Sequence, residues 1–559
     1  MQLEHIHIHN FRCIRDAEFQ LEPFSLLVGA NNAGKSTVID CIRAVYEKDK
    51  YKFIEKRDLP VGDLEDQDSW TELTFRLTPD EHGGLAEKYR TPEQSLRLRK
   101  WFKSTSNPAL SGSLFGYLST GEVDESPFYG AKGVQNGKIG DIIYVPAVST
   151  VEEQTKLTGP SALRDLLTDL LGSVVEGSQS YQSFSREFET FVEDIKTAQT
   201  ANDQSLSDFE HELDSMLSKW NVGFEIQFQP PSVQEIVKSM LGWGLLDEIT
   251  NRNFDHKCFG SGFQRHFIYS LISVGAKFAK QAPTKKAKDF TPSMRLLLFE
   301  EPEVFLHPPQ QENMARDLAQ LTEQEGWQVL CSTHSPHFVS RQAERISTLV
   351  RLRSIRGISK AYQVSNDNWN QLLAARAEIE AILPSRGNLS DDEKSRLEAL
   401  RYFLWLNPEK CGLFFSEQVL LVEGITEVGF FNRLLADGRI VIAPSSCYVL
   451  SCEGKFNLHR FIRLLSHLGI PHVVVFDDDQ RSTETYHPQL NRLVRDSASE
   501  EFTRSIVEIP ENLEAYLEMP VPERRLKPLL ALHRYESSQF NESRLSELCH
   551  RIESGFAPR

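Results

Sequence analysis

The stretch Gly29-Ala30-Asn31-Asn32-Ala33-Gly34-Lys35-Ser36-Thr37 constrains this chain more than any other. It fits the pattern GxxxxGK[ST], follows the apolar run Leu26-Leu27-Val28 and precedes a segment that reads as a helix from Lys35. A buried strand, a glycine-rich turn and a helix in that order aim backbone N–H groups at one spot, and the helix start adds positive partial charge there. A nucleotide phosphate suits that spot. Gly29, Asn31, Asn32, Gly34 and Thr37 are then lining residues, Lys35 meets the β- and γ-oxygens, and Ser36 offers its hydroxyl to Mg²⁺. The fold this requires is α/β, with the loop at the C-terminal end of a buried strand.

Three further elements follow. Leu296 to Glu303, LLLFEEPE, is a hydrophobic strand that delivers paired carboxylates at its C-terminal end, where open α/β sheets bind ligands. Glu300 is placed to hold Mg²⁺ through water, and Glu301 to polarise an attacking water. Gly260-Ser261-Gly262-Phe263-Gln264-Arg265 resembles the signature loop of ATP-binding-cassette ATPases, with Phe263 where a second glycine usually sits. Ser332-Thr333-His334-Ser335-Pro336 follows the strand run WQVLCST and resembles the switch-histidine segment that senses the γ-phosphate in that class.

In this order the four elements resemble an ATP-binding-cassette head of the RecF/SMC type, and the gap from residue 38 to residue 259 resembles the insertions such heads carry. The resemblance implies ATP as the ligand, catalytic roles for Glu301 and His334, and nucleotide contacts from Ser261, Gly262 and Gln264. In this class the signature loop of one protomer closes on the phosphates of another, so a homodimer or higher oligomer is implied. Phe263 and Glu300 depart from the usual glycine and aspartate, and no residue stands out as a Gln-loop.

A second acidic set lies towards the C-terminus. Val422-Glu423-Gly424-Ile425-Thr426-Glu427 ends a buried strand and opens a helix. Glu453-Gly454-Lys455 makes a turn after another strand, and a third strand, HVVVFDDD, ends in Asp477-Asp478-Asp479. Strand alternation sends Asp477 and Asp479 to one face. Carboxylates gathered at strand ends repel one another and call for cations. Hard oxygen donors favour Mg²⁺ or Mn²⁺, and two such ions about 3.5–4 Å apart suit phosphodiester cleavage.

This set resembles a Toprim domain, shared by topoisomerases, primases and a group of nucleases. The resemblance makes Glu423 the leading catalytic glutamate and a metal ligand, with Glu427, Asp477 and Asp479 as further ligands. Asn512 to Leu517 resembles a later acidic element of the nuclease group and puts Glu514 at a second metal. Lys527, in LKP, is the lysine implied at the transition-state phosphate. Glu508 and Glu511 compete for the acidic role, and Arg524 and Arg525 for the basic one.

A cassette-type ATPase followed by a Toprim domain resembles the overcoming-lysogenization-defect (OLD) family of nucleases, over nearly the whole chain. The resemblance implies ATP-controlled, metal-dependent cleavage or nicking of DNA and service in bacterial antiphage defence, as with the nuclease subunit of Gabija systems and some retron effectors. It also implies a separately encoded partner, such as a helicase or a reverse transcriptase with its nucleic acid. Two alternatives stay open: a Toprim RNase that cuts tRNA or other RNA under ATPase control, and an ATP-driven DNA-repair or scaffold protein with an inactive Toprim domain. The intact ExxxE and DxD set argues against the second, while no sequence-reading motif separates DNA from RNA.

The expected organisation is an ATPase head in two parts, 1–154 and 251–370, a helical insertion at 155–250, a helical linker at 371–410 and a Toprim domain at 411–559. The insertion rests on three stripes with helical spacing: Leu163, Leu166, Leu167 and Leu170; Phe184, Phe188, Phe191 and Ile195; Phe209, Leu213, Met216, Leu217 and Trp220. They suit self-packing or a dimer contact. Residues 1–30 read as two strands, HIHIHNF with a polar histidine face and LLVGA. LSGSLFGYLSTGE reads as turns, and Ser390 with Glu393 reads as a capping box.

Composition excludes other classes. Lys and Arg number 62 against 79 Asp and Glu, a net charge of −17, which rules out holding nucleic acid by bulk positive charge. Phosphates must then be met by metals or by local patches. Arg97, Arg99, Lys100 and Lys103 form one candidate and Lys277, Lys280, Lys285, Lys286 and Lys288 another, unless both are solvated faces. No apolar run approaches the roughly 18 residues of a membrane span, and the N-terminus lacks a signal-peptide pattern. The 8 scattered cysteines include no CxxC pair, which fits reduced thiols in the cytoplasm.

Overall fold

The structure is a computed structural model. It describes the chain except residues 48–49, 131–136, 148–166, 168–177, 200–204, 221, 229, 231, 240–242, 249–250, 255–257, 279–289, 291, 341–342, 384–389, 443–446, 483, 521–525 and 558–559. Two compact units emerge: Met1–Ala147 with Lys286–Arg559, and Val148–Lys285.

Among the described residues the first unit holds two sheets. The larger has twelve strands, and one half of it is built around parallel pairs. Phe24–Val28 lies between Leu349–Ile355 and Trp327–Ser332, and Arg295–Glu300 and Asp141–Val145 follow outward. Phe24–Val28 and Trp327–Ser332 are buried at every residue, as expected of strands covered on both faces. Ser332 pairs in register with both Leu27 and Glu300, so three strand ends stand side by side. This register carries the phosphate loop, the paired glutamates and the His334 segment to one edge.

The other half is antiparallel. Gln2–Phe11 is flanked by Ile14–Gln20 and Ser69–Arg76, and Ser95–Lys103, Leu114–Tyr117 and Val123–Pro127 follow. Three strands therefore occupy residues 1–28, where two were expected: Arg12, at φ +51°, turns the chain back so that Ile14–Gln20 pairs with the histidine strand. Leu114–Tyr117 is a strand inside the stretch read as turns. Gly116 marks a close approach there, because a Cβ would lie 2.6 Å from the Tyr89 ring.

The histidine face is polar, with carboxylates close by. His7 Nε2 and His9 Nδ1 each sit 3.0 Å from Asp16, and Trp70 stacks on His9. The first basic patch is matched by acids: Arg97 and Arg99 pair with Glu72, Lys100 with Glu47 and Lys103 with Glu55. The second patch lies outside the described residues, apart from Lys277, whose side chain is not described.

The smaller sheet is parallel throughout, in the order Cys447–Ser451, Gln418–Val422, His472–Asp477, Thr503–Ile509. Two helices, Asn366–Ile382 and Asp391–Trp405, lie between the sheets in sequence, and the second starts on the Ser390–Glu393 capping box. A 3₁₀ turn, Lys410–Phe415, leads into the small sheet.

Arg351 joins the two sheets. It is 1 % exposed and pairs in register with Val28, the residue before the phosphate loop. Its guanidinium donates to the carbonyls of Phe414 at 3.2 Å, Ser416 at 2.7 Å, Leu468 at 3.1 Å and Gly469 at 3.4 Å. Burial pushes its pKa down to about 9, which leaves it charged at neutral pH.

In the second unit, the helices Gln179–Thr197 and Leu206–Leu217 are tied by a Lys196–Glu210 pair at 3.3 Å. Phe184, Phe191, Phe209, Met216 and Trp220 remain exposed in the single chain. Of the Leu163–Leu170 stripe only Leu167 is among the described residues, and it is half-buried. Among the described residues no helix is long and apolar enough to cross a membrane.

Candidate active sites

The phosphate loop has the backbone its sequence calls for. Gly29 has φ +138° and Gly34 φ +105°, where L side chains are strained. A Cβ on Gly29 would lie 2.2 Å from the Leu352 carbonyl oxygen, and one on Gly34 would lie 2.7 Å from Ser359 Oγ. Only glycine therefore fits at these two positions. Asn31 and Asn32 sit on its turn, Asn32 at φ +58°, and Thr37 is buried with Oγ1 3.3 Å from Cys13 Sγ. The helix Lys35–Tyr46 begins at the loop, and the Lys35 ammonium donates to the loop's own Gly29 and Ala30 carbonyls, each at 2.9 Å. Burial lowers its pKa to about 8, against the pull of Glu301 and Glu303.

Ser36 Oγ donates to Glu300 Oε2 at 3.1 Å, so the hydroxyl and carboxylate named for Mg²⁺ do meet. Tyr144, which carried no role in the sequence reading, donates its hydroxyl to Glu300 Oε1 at 3.0 Å, and Arg43 lies 3.6 Å over its ring. Burial raises the Glu300 pKa. Glu301 leaves the strand at φ +44°, and its Oε1 stands 3.7 Å from His334 Nε2. Glu303, also unassigned from sequence, accepts the His334 backbone N–H at 2.6 Å. Burial lowers the His334 pKa, with Lys35 adding to the effect.

Ser261, Gly262 and Gln264 belong to the other compact unit, at the start of the helix Ser261–Phe278. Gln264 donates to the Phe259 carbonyl at 2.9 Å. Phe263 occupies the glycine position by stacking on Phe259 at 4.5 Å and Phe267 at 6.2 Å.

The second acidic set gathers at the C-terminal ends of the small sheet. Glu423 follows Gln418–Val422, and its Oε1 accepts the Asp477 backbone N–H at 2.9 Å. Glu427 folds back to accept the Gly424 N–H at 2.9 Å, at the start of the helix Ile425–Ala436. That helix packs on Lys527–Glu536 through Phe430 and Tyr535, which carries Lys527 towards the carboxylates. Lys527 Nζ is 3.0 Å from Glu514 Oε2. Glu514 is 2 % exposed, and its Oε1 has no hydrogen-bond partner among the described residues.

Asp477 and Asp479 do not share a strand face. The strand ends at Asp477, and Asp479 sits beyond it at φ +53°. Between them Asp478 accepts the Glu511 and Gln480 N–H groups, which fixes the turn. Asp479 Oδ2 instead faces Lys455 Nζ at 2.5 Å and His487 Nδ1 at 3.2 Å, two residues to which the sequence reading gave no role. The competitors for the later acidic role are engaged elsewhere, Glu508 with Arg495 and Glu511 with Arg481. Arg524 and Arg525 lie outside the described residues.

Crowding shows in the proton affinities. Burial, with help from Glu423 and Glu427, raises the Asp477 pKa well above the usual carboxylate range. Burial raises Glu423 to about 7 even though Lys455 pulls it down. Burial also raises Glu427, and Glu514 adds to it. As they stand, no three of the described His, Cys, Asp and Glu side chains are turned onto one metal position; two lysines hold the cluster instead. The donor chemistry still fits a hard cation: buried, mutually repelling carboxylates, with one buried oxygen unmatched.

Comparison with known proteins agrees with both domains. The profile described as AAA ATPase domain matches residues 1–120 and 135–339. That described as overcoming lysogenization defect protein-like, TOPRIM domain matches residues 414–479. The chain is 26% identical to the Old nuclease of Escherichia phage P2 over 86% of this chain and 77% of that protein. It is 22% identical to the OLD nuclease of Thermus scotoductus, over 85% and 82%. It is 21% identical to the endonuclease GajA of Bacillus cereus strain VD045, over 98% and 87%. With a phosphate loop and paired glutamates at one sheet edge and carboxylates at the strand ends of a second, parallel sheet, the chain belongs to the AAA ATPase domain family and carries the OLD-type TOPRIM domain towards its C-terminus.

Proposed function

We propose that the chain is an ATP-regulated, divalent-metal-dependent endonuclease that acts on DNA. The observation that carries this reading is the convergence of Glu423, Glu427, Asp477, Asp479 and Glu514, with Lys455 and Lys527, at one end of the parallel sheet. So many buried and half-buried carboxylates destabilise a fold unless cations join them, so stability alone does not account for the cluster.

Glu423, Glu427, Asp477, Asp479 and Glu514 are the residues that would hold Mg²⁺ or Mn²⁺. Bound there, such ions supply an activated water and neutralise charge at the leaving oxygen. Lys527, a third exposed at the edge of the cluster, is the cation positioned to meet the scissile phosphate. In the ATPase head, the loop from Gly29 to Thr37 holds the phosphates. Ser36 and Glu300 hold the accompanying cation, Glu301 is the base for the attacking water, and His334 stands across from Glu301 to contact the γ-phosphate. Ser261, Gly262 and Gln264 act on the phosphates of a second protomer.

The protein works as a homodimer or higher oligomer through the helical insertion, whose exposed phenylalanines support that reading. Mass measurement with and without ATP tests it; a monomer at micromolar concentration refutes it. The reading includes a cytoplasmic antiphage role with a separately encoded partner, supported by the likeness to endonuclease GajA, and plaque counts on cells carrying Glu423→Ala test it.

The decisive experiment is incubation with supercoiled plasmid, linear DNA and total RNA under Mg²⁺ or Mn²⁺. DNA is expected to be cut by the parent protein and not by Glu423→Ala. Cutting of RNA alone favours the RNase reading. Equal cleavage by Glu423→Ala and parent removes the nuclease assignment.

A further inference from the structure

We propose that Lys455 is a built-in counter-cation that competes with a divalent ion for Asp479 and Glu423, and so sets how much metal the nuclease site requires; this rests on the metal-dependent reading of that site. The ammonium lies 2.5 Å from Asp479 Oδ2 and 3.9 Å from Glu423 Oε1, and its side chain is only 4% exposed. His487 Nδ1 approaches the same Asp479 oxygen at 3.2 Å.

The lysine sits where a cation is disfavoured. It is the first residue of the helix Lys455–His467, and the positive end of a helix repels an ammonium. It is also largely shielded from water, and a lysine loses its hydration at high cost. The two carboxylates are what make the position tenable.

The backbone keeps it there. The Gly454 N–H donates to the Glu423 carbonyl at 2.7 Å and the Cys452 N–H to the Val422 carbonyl at 2.9 Å. The turn that presents Lys455 is thus laced to the strand end that presents Glu423. The ammonium leaves Asp479 by side-chain rotation, not by drift of the loop.

A divalent ion ligated by Asp479 sits about 2.0–2.6 Å from its oxygen, a position that excludes an ammonium on the same atom. Metal entry therefore requires Lys455 to yield Asp479. Lys527 differs, since it lies a third exposed on Glu514 and can turn outward to substrate. Lys455 is a positioning residue: it holds the carboxylates together before metal arrives and raises the concentration at which metal replaces it.

The test is Mn²⁺ binding by calorimetry to the full-length protein, without nucleotide or nucleic acid. Asp479→Asn in the parent shows which binding step belongs to this site. Lys455→Met is expected to tighten that step about tenfold or more, since a nearby like charge is removed. Lys455→Arg, whose fork grips a carboxylate more firmly, is expected to weaken it several-fold. In the thermal melt, Lys455→Met should lose stability without metal and recover it with Mn²⁺.

Unchanged or weaker binding in Lys455→Met overturns the proposal. Should that variant fail to fold, binding by Lys455→Arg as tight as the parent's overturns it equally. A parent protein that binds no Mn²⁺ at this site removes the nuclease reading as well, whereas a parent that binds Mn²⁺ with variants that match it removes this inference alone.

Discussion

The ring of His334 lies with its centroid 6.1 Å from that of Phe415. A side chain facing Glu301 in the ATPase head therefore rests on the 3₁₀ turn that opens the nuclease sheet. At the other end of that turn Lys410 pairs with Glu453, two residues before Lys455. A shift of His334 on nucleotide binding would reach the nuclease cluster through a single short element. Phe415→Ala is expected to leave cleavage without nucleotide within about threefold of the parent and to abolish the effect of ATP on it. Nuclease assays with and without ATP check this, and an undiminished ATP effect refutes it.

Lys35→Ala should weaken ATP binding by about 100-fold or more, because the loop loses its only side-chain cation. Glu301→Gln should keep binding and lose hydrolysis, so that ATP remains on the protein. Equilibrium binding of a fluorescent ATP analogue and single-turnover hydrolysis separate the two.

The pH behaviour of Glu423 has a definite sign. Burial holds its carboxyl at about 7, above its ordinary 4.5. Between those values the folded metal-free protein binds a proton that the unfolded chain does not, so the residue's contribution to stability falls as pH rises through that window. Glu423→Gln, which cannot ionise, should melt higher than the parent at pH 8 without metal, by at most about 3 kcal/mol, and match it near pH 4.5. With Mn²⁺ at pH 8 the order should reverse. Lower stability of the variant at pH 8 without metal would contradict the assignment.

Arg351→Met should destabilise the first unit by roughly 3–5 kcal/mol, since it strips the donor from four buried or half-buried carbonyls. Lys should not restore it, because one ammonium cannot reach the same spread of acceptors. Denaturant midpoints give the comparison.

The phosphate loop, the paired glutamates and three strands of the small sheet were legible because continuous apolar runs ended in glycines or acids; the fourth, Thr503–Ile509, was not. Tyr144, Glu303, Phe415 and Arg351 were not, since nothing local marks them; sheet order brings them to their partners from distant segments. Lys455 left a faint trace, a lysine immediately after a glycine at the start of a helix, where its charge opposes the dipole. Alternation misplaced Asp479 because it assumes that the strand continues, whereas Asp478 turns the chain. Charge counting could not show that Arg97 and Arg99 share Glu72, which lies across the sheet on a neighbouring strand.

The grip of Arg351 has a consequence for how this protein can be taken apart. Its guanidinium belongs to the strand beside the phosphate loop, while its acceptors belong to the nuclease half, and the Tyr362 ring lies hard against Gly469 across the same seam. Separating the halves would strand a charge on one side and bare carbonyls on the other. The two are therefore poor candidates for independent expression or for transplantation into chimeras, and split versions should regain solubility only when both fragments are made together.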